Sequence, residues 1–228
     1  MYMTQSLDSD LPHTYVPRDL TVLLSPPPNL HGRPYMIALF MSGEVETSGR
    51  SAFVRELMQY LDVHSFGRMF HNRDIPEYAR QQTTTSVKHA VISQYKFTLA
   101  LENTIQDDYV TEKFYQPLIA GSIPVYLGAP NIAQFAPAPN SYIDVSTFRN
   151  TQQLAEYLQR VSKDKRMFDS YHSWRRNPGR VHERLQKLAN MSAYTAAGYG
   201  EGVQYNAANE FDACRMCEYF VSRISDAT

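Results

Sequence analysis

Hydrophobic positions along this chain fall into short continuous runs separated by stretches of helical spacing, the order expected when buried strands alternate with covering helices. Residues 34–41 (PYMIALFM) are an apolar run bounded by Pro and Ser-Gly, which predicts a buried strand. Residues 50–61 carry Phe53, Val54, Leu57, Met58 and Leu61 at helical spacing, and 62–66 predict a second strand ending at Gly67. Residues 68–82 are polar and predict a loop, 83–93 a helix and 95–101 a third strand. The next helix, 111–120, is closed by Gly121, whose backbone suits the position after a helix end, and 123–127 predict a fourth strand. Pro117 lies inside that helix and predicts a kink or a short element. Residues 131–139 read as an irregular excursion and 142–145 as a brief fifth strand.

From Asn150 onward the pattern is helical, with Leu154, Leu158 and Val161 on one stripe and Val181, Leu185 and Leu188 on another. Periodicity is lost over 191–209 and returns in a terminal helix over 211–224. At the other end, Pro12, Pro17 and the run Pro26–Pro28 keep residues 1–33 irregular. The chain thus divides into a junction segment (1–33), an α/β domain (34–190) and a tail with its helix (191–228). Strands and helices alternate up to about residue 145, which predicts a Rossmann-like parallel sheet flanked by helices.

Charge and composition narrow the partners. A formal net charge of −1 and a pI near 6.7 provide no bulk attraction for nucleic acid or an anionic membrane surface. Sixteen Tyr and eleven Phe against ten Gly describe a packed globular protein. The opening residues are polar and the apolar run 20–24 is too short to cross a bilayer, so membrane attachment would come only through an anchor outside this chain. Cys214 and Cys217 form one CxxC without a second ligand pair, inside the predicted terminal helix rather than at a helix start after a strand. A structural role fits them better than zinc or redox chemistry, and no metal site is expected.

The chemistry concentrates between Tyr95 and Gly128. An apolar strand runs into a polar loop and a charged helix start, and a second strand follows. In an open α/β sheet that succession forms a site for a phosphorylated ligand beyond the strand's carboxyl end, against the next helix's N-terminus. Asn103, Asp107, Asp108, Tyr109, Thr111, Glu112 and Lys113 cluster there. If the helix begins near Tyr109, then Tyr109, Glu112 and Lys113 share one face. A lysine in a first helical turn opposes the helix dipole unless an anion is bound, and a phosphate would satisfy that requirement. The same Thr-Glu-Lys is also an ordinary capped helix start with solvated charges. Arg50, opening the helix after the first strand, is a second candidate phosphate cation, and its fork matches phosphate oxygens.

The segment 97–131, FTLALENTIQDDYVTEKFYQPLIAGSIPVYLGAPN, closely resembles the signature of the α1,3/α1,4-fucosyltransferases, glycosyltransferase family 10, with Leu101 where that family usually has Phe. The resemblance extends to LDVHSFGRMFHNRD, to ALFMSG followed by Arg50, to the Trp-Arg segment at 154–176, to the terminal CxxC and to the opening TQSLDSDLP. It implies the C-terminal, donor-binding half of the two-domain GT-B fold, with residues 34–190 as the GDP-fucose-binding domain. Arg50 and Lys113 would bind the diphosphate, Asn103 and Tyr109 the ribose and phosphate region, and Glu112 the fucose. The implied reaction is an inverting transfer of L-fucose from GDP-fucose to a GlcNAc-containing glycoprotein glycan in α1,3 linkage, in the Golgi lumen, with no cofactor and no metal. Gly43 and Phe66 depart from the family's usual Asn and Tyr. The family's general base is a Glu in a Glu-Ser-Pro motif of the N-terminal acceptor domain, and that motif does not occur in this sequence. The chain is therefore expected to begin just after it, and the alternative is a non-catalytic remnant that binds GDP-fucose. The terminal cysteines of relatives pair with cysteines of that domain. Asn190-Met191-Ser192 is a glycosylation sequon compatible with a Golgi lumen.

Overall fold

The structure is a computed structural model describing residues 3–9, 11–25, 27, 30–80, 84–176 and 183–191. Cys214, Cys217, Val181 and the expected terminal helix lie outside these residues. The junction segment is less irregular than expected: β1 (Met3–Thr4) and β2 (Leu11–Pro12) pair in parallel, and the apolar run 20–24 forms the short helix α1 (Thr21–Leu24).

The main body follows as β3 (Tyr35–Leu39), α2 (Arg50–Leu57), β4 (Val63–Ser65), α3 (Glu77–Arg80), α4 (Thr84–Ile92), β5 (Tyr95–Leu101), α5 (Glu112–Ala120) and β6 (Ile123–Leu127). Two 3-10 turns lead to β7 (Ile143–Asp144), and α6 (Thr151–Lys163), α7 (Lys165–Ser170) and α8 (Glu183–Asn190) complete the described chain. The five strands pair in parallel in the order β4-β3-β5-β6-β7. The expected parallel sheet flanked by helices is what forms. One difference lies in 68–82, expected to be loop: Glu77–Arg80 makes a helical turn because Ala79 can be buried against the sheet's second face.

Period-two alternation decides which side of the sheet each residue covers. Phe97, Leu99 and Leu101 of β5 join Ile37 and Leu39 under α2 and α6, where Val54, Leu57, Leu154 and Leu158 are buried. Ala100 points the other way, into a second layer with Phe114, Tyr115, Leu118, Leu23 and Leu185. Complete burial of a Leu or Phe stabilises by about 1.5–3 kcal/mol, so the two layers together clamp the sheet. Arg33 ties the sheet's base to α5. It is buried and donates to the carbonyls of Ile92, Tyr95 and Ala120, the last at 2.6 Å, and burial lowers its pKa to about 10. Gly121 ends α5 at φ 73°, a left-handed conformation in which any side chain is strained.

β3 has β4 on one side and β5 on the other, so strand progression reverses between β3 and β5. Ligands of open α/β sheets bind in the crevice beyond the strands' carboxyl ends at such a reversal. The loops following β3 and β5 flank it.

Candidate functional site

The loop after β5 is organised around a residue the sequence reading passed over. Glu102 follows seven strand residues directly and has no solvent exposure. Its carboxylate accepts from the Thr111 amide at 2.8 Å, and the Thr111 hydroxyl lies 2.9 Å from each of its oxygens. Lys113 Nζ is 3.4 Å from Glu102 Oε2 and donates to Thr111 Oγ1 at 2.9 Å. The ten-residue excursion between strand and helix is thus closed on one buried acid. Gly128 permits this, since a Cβ there would meet Glu102 Cγ at 2.7 Å. Thr111 also caps the helix, accepting from the Lys113 amide at 3.4 Å.

The helix begins at Glu112 rather than near Tyr109, so the shared helical face expected for Tyr109, Glu112 and Lys113 does not exist. Asp108 breaks the run with a left-handed φ of 65°. Tyr109 instead reaches the site from the loop and donates to Asn103 Oδ1 at 2.8 Å, which fixes that amide. Asp107 is exposed, and Asp108 turns away, accepting from the Leu7 amide (2.9 Å) and from Asn131 Nδ2 (2.8 Å). Both acids leave the expected cluster, and Asp108 fastens the loop to the junction segment through Leu7. Glu112 and Lys113 remain together, 3.4 Å apart.

Across the reversal point, the loop after β3 is stitched to the end of β5. The amides of Thr47 and Ser48 donate to the Asn103 carbonyl at 2.8 and 3.2 Å, and the Ser48 hydroxyl donates to the Glu102 carbonyl at 2.7 Å. Arg50 is buried, with Nη1 donating to the Leu101 carbonyl (3.1 Å) and Nη2 to the Gly43 carbonyl (3.2 Å). Its Nε stands 3.3 Å from Glu46, an ionic contact without hydrogen-bond alignment. Glu46 also accepts from the Ser51 amide at 3.0 Å. A carboxylate therefore occupies the N-terminal end of α2, where the helix dipole and Arg50 would otherwise meet an external anion. Arg50 and Lys113 reach neighbouring residues at the end of β5, the Leu101 carbonyl and the Glu102 carboxylate, but in different states: the first is buried, while the second keeps 26% of its side chain exposed.

Burial pushes the Glu102 carboxyl above its ordinary range, against the pull of Lys113 and Thr111. Burial acts the same way on Glu112, yet Lys113 and Lys88 outweigh it and hold that group below the usual value. Desolvation would weaken the Lys113 ammonium, but Glu102 and Glu112 hold its pKa above that of a free lysine. Burial raises the Tyr109 hydroxyl, so it remains a donor. The turn thus carries a protonated lysine at a helix N-terminus between two carboxylates. Such a group can exchange part of its ion pairing for a phosphate oxygen. Among the described residues no group of three His, Cys, Asp or Glu side chains is arranged to hold a metal, and no helix is long and apolar enough to cross a membrane.

Glu102, Glu46 and Lys88 escaped the sequence reading. Only Glu102 leaves a signal, a lone acid directly after an unbroken apolar strand.

Comparison with known proteins gives the family. The family description glycosyltransferase family 10 (fucosyltransferase) C-term matches residues 30–226. A human GDP-fucose protein O-fucosyltransferase 3 is 39% identical over 175 residues, covering 75% of this chain and 35% of that protein. A Drosophila melanogaster alpha-(1,3)-fucosyltransferase B is 39% identical over 154 residues, covering 64% of this chain and 35% of that protein. A crystal structure of an alpha1,3-fucosyltransferase with GDP superposes with a TM-score of 0.51 at 25% identity, covering 60% of this chain and 37% of that one. The chain spans about a third of the length of the curated relatives it matches. A family match that runs over residues 30–226, on a parallel sheet flanked by helices, makes this chain a member of glycosyltransferase family 10, the fucosyltransferases.

Proposed function

We propose that this chain is the GDP-fucose-binding half of a fucosyltransferase. The observation that carries the reading is Lys113, a partly exposed ammonium in the first turn of α5, beside the crevice where strand order reverses. The diphosphate lies against the α5 N-terminus and Lys113, and Arg50 contributes from α2 once Glu46 yields its place. Asn103, held by Tyr109, faces the ribose and phosphate region, and Glu112 accepts hydroxyls of the fucose. The acceptor oxygen attacks the anomeric carbon as the bond to the β-phosphate oxygen breaks, and configuration inverts. Negative charge gathers on the departing GDP, where Lys113 and the helix N-terminus stabilise it without a metal. The general base belongs to residues outside this chain's donor site.

Two acceptor chemistries compete. The motif resemblance favours the 3-hydroxyl of GlcNAc in a glycoprotein glycan, made in the Golgi lumen. The name protein O-fucosyltransferase, borne by a relative 39% identical, favours a hydroxyl on a protein instead. Mass spectrometry of glycopeptides from cells with and without the gene separates them: fucose on a peptide hydroxyl excludes the first, fucose on GlcNAc the second.

The donor site is tested by calorimetric titration with GDP and GDP-fucose in EDTA. Saturable binding is expected, with Lys113→Ala weakening it by at least about tenfold, the loss of one charge-assisted contact. An unchanged dissociation constant in that variant would overturn the site. Binding without fucosyl transfer by the complete gene product would identify a non-catalytic remnant.

A further inference from the structure

A second lysine stands behind the first. α4 packs against α5, and between them Lys88, Lys113, Phe40 and Gln116 line one narrow cleft. Its free volume of about 10 Å³ takes a single water and excludes a sugar or phosphate. Lys88 Nζ lies 5.5 Å over the Phe40 ring, a cation–π contact. Among the described residues it has no carboxylate within ion-pair distance and no hydrogen bond. Gln116, 8% exposed and lining the same cleft, has an Oε1 without a hydrogen-bond partner. Neither group is explained by packing alone.

Charge explains Lys88. Glu102 and Glu112 both draw on Lys113, while Arg50 is matched by Glu46. Without Lys88 these groups count three negative charges against two positive, a poor place to receive a diphosphate. Lys88 makes the count even while it is protonated: burial lowers its pKa, and Glu112 and Glu102 pull the other way. Tyr109, the remaining titratable group facing Lys113, stays neutral because burial raises it.

Resting on the donor-site reading above, we propose that Lys88 is a positioning residue of that site. Its ammonium, braced on Phe40, offsets the second carboxylate so that Lys113 can turn to a phosphate oxygen. Lys88 itself does not touch the donor.

The test is titration of GDP and of inorganic pyrophosphate into wild type, Lys88→Met, Lys88→Arg and Lys113→Met, at several salt concentrations. Lys88→Met is expected to weaken both ligands about tenfold, the effect of one unit charge near a partly solvated site. Lys88→Arg should restore binding to within about threefold, since charge rather than shape is required. The loss in Lys88→Met should shrink as salt rises, which a purely structural defect would not do. Thermal melting checks the fold, and if Lys88→Met does not fold, Lys88→Gln is read in its place. Unchanged binding in the Met or Gln variant, with loss in Lys113→Met, overturns the role of Lys88 and leaves the donor site standing. A salt-independent loss, or no rescue by Arg, also overturns it. A folded wild type that binds neither ligand overturns both readings.

Discussion

The two strand-to-helix turns that flank the crevice do similar work by opposite means. After β3, Gly49 takes a left-handed conformation and offers no side-chain cap, so Glu46 folds back over the start of α2 and Arg50 is spent on carbonyls of its own chain. After β5, Thr111 caps the helix and a fully buried Glu102 holds the loop from beneath, which leaves Lys113 partly open to solvent. The first turn is closed by its own anion. The second is braced from within and presents its cation outward. The difference shows that a basic residue at a helix start is not by itself a phosphate ligand: what matters is whether the fold has already supplied its anion.

The contrast is broken most severely at Glu102. Glu102→Leu strands the buried Thr111 amide and leaves Lys113 with Glu112 alone, and should cost about 3 kcal/mol in urea denaturation. The corresponding change in the first turn, Glu46→Ala, removes a cap and a partly solvated pair and should cost no more than about 1 kcal/mol. Equal costs would mean that the turns are anchored alike. Next in size is Glu46→Gln, which vacates the negative charge beside Arg50. GDP should then bind about threefold to tenfold more tightly, whereas weaker binding would assign Glu46 to the ligand's side of the site.

The smallest effect is in acid. Burial tends to raise Glu46, but the Ser51 amide, Ser48 and Arg50 together hold its carboxyl below the ordinary value. A depressed carboxyl contributes stability that is complete above its unfolded pKa of about 4.3 and disappears as pH falls through the folded value. The melting temperatures of wild type and Glu46→Gln should therefore differ most above about pH 5 and converge as the pH falls through the lowered folded value. A gap that persists at the acid end would show that the Glu46 contacts do not depend on its charge.

Much of this was legible in the chain. Apolar runs and helical stripes placed β3, β4, β5, β6 and β7 in order, and Thr111 and Gly121 marked the two ends of α5, because each of these depends on neighbours a few residues away. The helix at Glu77–Arg80 was not legible, since a single turn has too few positions to show a period and forms only by burying Ala79. Nor was the left-handed Asp108, which moved Tyr109 off the helix and whose own carboxylate meets Leu7 and Asn131.

Residue order determined the alternation of elements, the cap and stop of the central helix, and the polar segment that follows the third strand of the sheet. Tertiary structure alone decided which distant groups meet. Arg50 finds its carbonyl fifty-one residues away at Leu101, and Lys88 comes to Lys113 only because α4 packs on α5. Periodicity reports which face of an element is buried. The sign of the charge waiting on the opposite face is set by folding, because an ion pair depends on distance in space and leaves no period along the chain.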